Sequence, residues 1–166
     1  QFLQDIDADI TLAGAVLVGA GESFCSGQDF NESSKWTVDV PWVEEFESFF
    51  RAILQFSKPL VAAVNGDAAG SGFQIALICD RRLGHPGTRM GQTEVRWGLA
   101  SVTGTWLMRR SLGDLRAREL ALSARLMECD ELLACGVLNK VVPKDQVLSA
   151  ALNSCRELAK NPHHSF

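Results

Sequence analysis

Positive charge is scarce in this chain. Sixteen Lys and Arg face 20 Asp and Glu, a formal net charge of −4 at pH 7. Without a basic excess there is no field to hold nucleic acid or an anionic membrane surface, and neither is expected as a partner. Long apolar runs are missing too: the roughly 18 consecutive apolar residues of a spanning helix occur nowhere. Gln1 to Ile10 carries neither the basic stretch nor the apolar run of a secretory signal, so none is expected there. Cysteine is unpatterned. The five, at 25, 79, 129, 135 and 155, are odd in number and form no C-x-x-C. That argues against a disulfide framework and for a reducing compartment, with the cytoplasm as the expected location. Three His, two of them adjacent at His163 and His164, give no H-x-x-x-H or H-E-x-x-H spacing, so no metal site is expected.

What remains is an ordinary globular composition, 46% hydrophobic and 22% charged over 166 residues, enough for one domain with a sizeable core. The runs Ala15 to Val18 and Leu60 to Val64 are apolar throughout. They read as buried strands of a parallel sheet. Val137 to Val142 is a third such run, and Asp80 to Leu83 and Thr88 to Met90 are shorter candidates. A helical stripe runs from Pro41 to Phe56, and another from Val147 to Ala159, stopped by Pro162. Trp106 to Leu112, Leu115 to Leu122 and Asp130 to Cys135 are shorter helices, the last closed by Gly136 at C′. Strands alternating with helices predict an α/β fold with a mainly parallel sheet and flanking helices. The polar, aperiodic stretch from Gly27 to Val40 has the length of a functional loop.

Three segments hold the chemistry: Gly21 to Phe30, Asn65 to Ile75, and Gly91 to Glu94 with the following Gly98 to Gly104. In the second, Gly70 and Gly72 stand where a strand turns into a helix. The first amides of a helix lack intrahelical partners, and the dipole there is positive. Such a turn suits a phosphate or an oxyanion. It equally suits a tight strand–helix junction in which glycine serves packing.

Taken together, FCSGQDF, KPLVAAVNGDAAGSGFQIALICD and GQTEVRWGLASVTGT, in this order and spacing, resemble the crotonase (enoyl-CoA hydratase/isomerase) superfamily. ELALSARLMECDELLACGVLNKVVP is similar to that family's next helix-helix-strand unit, so the resemblance runs from about Ala13 to Pro162. It implies a spiral of ββα turns, a single crotonase-like domain over 1–166. The core spiral would cover about 13–143 and a C-terminal helix about 144–160. The family's first strands, first helix and closing helices have no counterpart here, so N- and C-terminal parts are expected to be lacking. The resemblance also implies a homotrimer or dimer of trimers and an acyl-CoA substrate. Coenzyme A enters as part of the thioester, and no cofactor is required.

The family's shared chemistry is stabilisation of a thioester enolate by two backbone amides. By position these are the N–H groups of Gln28 and Ser71. Each such donor is worth about 3–4 kcal/mol of barrier. The implied coenzyme-binding positions are Phe24, Ser26, Asp29, Phe30 and Gly70. Asp29 reads equally as an acceptor that fixes its loop. Family hydratases use two Glu. The second matches Glu94; the first falls on Gln74, whose amide neither gives nor takes a proton at neutral pH. Losing one acid–base group costs about 10²–10⁴ in rate. One carboxylate beside an oxyanion hole still suffices for a 1,3-proton shift, so the implied reaction is enoyl-CoA double-bond isomerisation, with Glu94 as carrier. Burial of Glu94 among Trp97, Leu99 and Val102 is expected to raise its pKa. A solvated Glu94, or one salt-bridged to Arg96 or Arg89, is the bland alternative. Gln74 reads as a packed amide or as a hydrogen-bonding partner of substrate. Trp97 and Trp106 suit an acyl pocket or the core equally. Cys25 reads as a small packed residue, and Asp80 as a structural acceptor.

Three rival motifs fail. Gly19-Ala-Gly21 lacks the third glycine of a dinucleotide fingerprint, since position 24 is Phe. No G-x-S-x-G surrounds Ser71, and no P-loop occurs. Two alternatives stay open: hydration despite Gln74, and a non-catalytic crotonase-fold interaction or oligomer module.

Overall fold

The computed structural model of the chain describes residues 2–29 and 41–161. Strand β2 (Leu60–Ala63) is its centre. Every residue of it is buried, as a strand covered on both faces requires. β2 pairs in parallel with β1 (Ala15–Val18) on one side and β4 (Arg81–Gly84) on the other. β6 (Lys140–Val141) extends the sheet beyond β4, giving the order β1-β2-β4-β6. Successive strand side chains point to opposite faces. Leu60 and Ala62 accordingly join one apolar cluster with Phe73, Met108 and Leu120. Val61 and Ala63 join another with Val147, Ala151 and Cys155. The second group belongs to α7 (Val147–Leu158), whose buried residues at 147, 151, 154 and 155 form one stripe.

A second, two-stranded parallel sheet pairs β3 (Ala68–Ala69) with β5 (Met90–Gly91). The chain therefore repeats a unit: β2 and β3 lead into α3 (Ser71–Ile78), and β4 and β5 lead into α4 (Val102–Leu112). An isolated bridge between Cys25 and Ala68 adds a third segment to the small sheet, upstream of α2 (Pro41–Leu54). This is a spiral of ββα turns. Helices α5 (Asp114–Ser123) and α6 (Cys129–Ala134) cover its end, and Gly136, at φ 77°, follows α6 with its N–H on Leu133 O at 3.1 Å.

Two expected strands are displaced, each because a side chain takes over the ladder. Across Val137 to Val142 only Lys140–Val141 pairs with β4. Upstream, the Arg82 N–H donates to Asn139 Oδ1 at 2.8 Å, and Val137 and Leu138 enter the core. At Thr88 the buried hydroxyl accepts from His85 N and donates to Val64 O, which makes a turn, and the strand starts at Met90. Asp80 is the structural acceptor it was expected to be. Its carboxylate takes Leu60 N at 2.7 Å while its own N–H bonds Leu60 O, tying the end of α3 to β2. Helix α1 (Phe2–Ala8) was not anticipated. It is held by the buried Lys58, whose Nζ donates to Ile6 O and Asp9 O at 2.7 Å each. No helix among the described residues is long and apolar enough to cross a membrane.

Candidate active site

The two sequence segments with candidate amides are stitched together by backbone bonds. Phe24 N and Cys25 N both donate to Asp67 O, and Ala69 N returns a bond to Cys25 O at 2.9 Å. On the other side, Ala68 N bonds Arg89 O and Gly70 N bonds Gly91 O at 3.0 Å. Residues 24–28, 67–71 and 89–94 therefore run side by side. Gly72 makes the closeness possible, since a Cβ there would stand 2.2 Å from Cys25 O.

At the head of α3 the chain turns through Gly70, at φ 57° and ψ −125°, a conformation that L side chains rarely adopt. Helix α3 begins at Ser71, whose N–H lies in the unpartnered first turn. Among the described residues, neither Gln28 N nor Ser71 N donates to another group. Both residues line one cleft of about 420 Å³ together with Ser26, Gly70, Gln74 and Glu94.

Glu94 opens a short 3₁₀ turn, Glu94–Trp97, that Gly98 ends in the left-handed region. The turn lays the carboxylate against Gly70: a Cβ at Gly70 would be 3.2 Å from Glu94 Oε1. Gln74, one turn into α3, donates Nε2 to the same Oε1 at 3.1 Å. The other oxygen, Oε2, is buried with no hydrogen-bond partner among the described residues. Burial pushes the Glu94 carboxyl above the ordinary glutamate range, against the Gln74 hydrogen bond that pulls it down.

The expected source of that burial needs correcting. Trp97, Leu99 and Val102 are 61%, 50% and 78% exposed, so they rim the cleft instead of covering the carboxylate. The cover comes from the Gly70 turn and from Gln74, which is 3% exposed. Among the described residues Glu94 makes no ion pair, and Arg89 is engaged by Asp67 at 2.6 Å. Trp106 lies in neither the core nor this cleft. It is half exposed, with the Arg110 guanidinium 4.9 Å above its ring.

The other named positions divide. Ser26 and Gly70 line the cleft. Phe24 does not: its amide is fixed to Asp67 O and its ring sits in the main core, 9% exposed. Asp29 is exposed and outside the cleft lining. Phe30 lies outside the described residues. Two residues went unnoticed in the sequence, Gln92 and Ser101. Gln92 is 1% exposed and donates Nε2 to Ser101 Oγ at 2.5 Å, and Ser101 lines the cleft. The spacing Gln92-x-Glu94 was visible; its link to Ser101 across the 3₁₀ turn was not. Among the described residues no group of three or more His, Cys, Asp or Glu could hold a metal ion.

With this geometry in view, the chain's likeness to known proteins has a meaning. Residues 1–166 match the enoyl-CoA hydratase/isomerase family. A short-chain-enoyl-CoA hydratase of Clostridium acetobutylicum is 33% identical over 164 residues, covering 95% of this chain and 62% of that protein. A mevalonyl-coenzyme A hydratase of Aspergillus fumigatus is 32% identical, covering 93% of this chain and 58% of that protein. The crystal structure of an enoyl-CoA hydratase from Bacillus anthracis superposes with a TM-score of 0.87 at 27% identity, covering 98% of this chain and 64% of that one. The chain thus spans about three-fifths of the length of these curated relatives. Its ββα spiral is theirs, and the chain belongs to the crotonase (enoyl-CoA hydratase/isomerase) superfamily.

Proposed function

We propose that the protein enolises an acyl-CoA thioester and shifts the double bond of an enoyl-CoA between the 3- and 2-positions. The thioester oxygen accepts from Gln28 N–H and Ser71 N–H. Negative charge grows on that oxygen as the α-proton leaves, so donors already in place lower the barrier without reorganising. Glu94 takes the α-proton and returns it to the γ-carbon. The α-C–H pair becomes the enolate π bond, and the π pair of the original double bond forms the new C–H bond at the γ-carbon. The proton is conserved and no co-reactant is consumed.

One observation carries this reading: among the described residues a single carboxylate lines the cleft, one oxygen held by Gln74 and the other without a hydrogen-bond partner among those residues. A raised carboxyl pKa favours a group that must both accept and release a proton near neutrality. Hydration of a 2-enoyl-CoA is the second reading, favoured by the names of the relatives. It needs another acid at the attacked carbon, and the Gln74 amide supplies no transferable proton. The test offers a 3-enoyl-CoA and a 2-enoyl-CoA separately and follows each by chromatography. Isomerisation faster than hydration supports the proposal; fast hydration with no isomerisation overturns it.

A further inference from the structure

The proton transfer proposed above uses Gln28, Ser71 and Glu94. It leaves three side chains beside them without a role: Gln74, Gln92 and Ser101. Gln74 and Gln92 are 3% and 1% exposed, and each keeps its carbonyl oxygen without a partner among the described residues. Leaving a buried acceptor in that state is costly, so something else must fix these amides. Their N–H groups supply the answer. Gln92 Nε2 donates to Ser101 Oγ at 2.5 Å, and Gln74 Nε2 donates to Ser101 Oγ at 3.4 Å and to Glu94 Oε1 at 3.1 Å. A continuous chain runs Gln92–Ser101–Gln74–Glu94.

Ser101 is diverted from its usual task. It precedes α4 at the N-cap, where a serine hydroxyl normally accepts from the first helical amides, yet it makes no side-chain cap bond. Its oxygen faces the two amides instead. A glutamine has two different ends. Its N–H stabilises a carboxylate; its carbonyl would repel one and tolerate only a protonated acid. Gln74 carries two N–H groups, one on Glu94 and the other on Ser101. Gln92 donates to the same Ser101 oxygen.

We propose that Ser101, held by Gln92, is a positioning residue that keeps the N–H end of Gln74 on Glu94 and so keeps Glu94 able to accept a proton. The inference deepens the reading above and rests on Glu94 being the proton carrier. Among the described residues, charged groups nearby do not take this role. Arg96 shares the 3₁₀ turn but is exposed, and Arg89 is engaged by Asp67. Helix α3 carries no ionisable side chain. On α2, Glu44, Glu45, Glu47 and Arg51 are exposed. On α4 and α5, Asp114 pairs with Arg109 and Glu119 with Arg125, while Arg110, Arg116 and Arg118 are exposed.

The test titrates the Glu94 side-chain carboxyl by ¹³C NMR in the whole chain, a readout that needs no turnover. Ser101→Ala is expected to move the midpoint upward by about 0.5 pH unit or more, because the carboxylate loses its positioned donor. Ser101→Thr, which keeps the hydroxyl, is expected to leave it in place. Gln92→Met removes the outer grip and should shift it in the same direction, which keeps the test decisive if one variant folds poorly. An unchanged midpoint in Ser101→Ala, or in Gln92→Met where only that variant folds, overturns the proposal. A shift that Ser101→Thr reproduces overturns it equally. Exchange of substrate α-protons in D₂O, measured alongside, tests the enolisation reading by itself. Its absence from the unmodified chain sinks that reading, whereas the titration midpoints still decide whether Ser101 positions Gln74.

Discussion

The Glu94 carboxylate lies directly over Gly70, its Oε1 3.2 Å from where a β-carbon at that position would be. Gly70 is thus constrained twice: by a φ of 57° and by the acid above it. Gly70→Ala is expected to destabilise the fold by about 1–3 kcal/mol from backbone strain. It should also displace Glu94 and the Ser71 amide together. Denaturant unfolding checks the first effect, and acyl-CoA turnover falling further than binding checks the second.

Burial raises the Glu94 carboxyl above its ordinary value of 4.5, so the folded chain holds that proton more tightly than the unfolded chain does. The stabilising contribution is complete below the ordinary value and is lost as pH rises through the raised one. Glu94→Gln removes this loss. The variant should melt higher than the parent at neutral pH and close to it near pH 4, as read by calorimetry across that range. An equal offset at every pH would contradict the linkage.

Gln74 stands where an acid would complete a two-carboxylate site, 3.1 Å from Glu94 Oε1. Gln74→Glu places a second carboxyl there. Two carboxyls at that distance hold one proton between them, since like charges disfavour double ionisation. The expected outcome is hydration of a 2-enoyl-CoA raised by about 10-fold or more relative to isomerisation, from the added acid–base group. An unchanged product ratio would count against the role assigned to position 74.

Gly72 touches the first amide-bearing segment so closely that a methyl group has nowhere to go: the obstacle 2.2 Å away is the Cys25 carbonyl, which is backbone. Gly72→Ala should cost about 1–3 kcal/mol, the usual penalty of overpacking. It should also pull the Gln28 and Ser71 amides apart. Loss of enolate-mimic binding with far-UV circular dichroism retained is the expected signature.

The parts of this fold that were legible in the sequence are those written in apolar pattern. β1 and β2 were read to within a residue because they are apolar and uninterrupted. α7 followed from its stripe and α6 from its terminal glycine. The misplaced elements depend on partners distant in sequence: Asn139 replacing ladder bonds to Arg82, Thr88 closing a turn onto Val64, Lys58 holding α1. The same division holds at the site. Glu94, Gln74, Gln28 and Ser71 could be named from family motifs, and the fold brings them to one cleft. Phe24 could not be told from a cleft residue, because burial against the core leaves no local mark. Ser101 is singled out by no motif, and only its neighbours in space show that its hydroxyl at the head of α4 meets two glutamine amides.

Proton exchange at the α-carbon isolates the step on which the account depends. A saturated acyl-CoA incubated with the protein in D₂O can be followed by proton NMR with no hydration or isomerisation to confuse the signal. The account predicts deuterium entering at C2 with the unmodified chain, and exchange slowed by about 10²-fold or more in Glu94→Gln, the usual cost of removing a general base. Undiminished exchange in that variant, or none in the parent while the thioester is demonstrably bound, would contradict it.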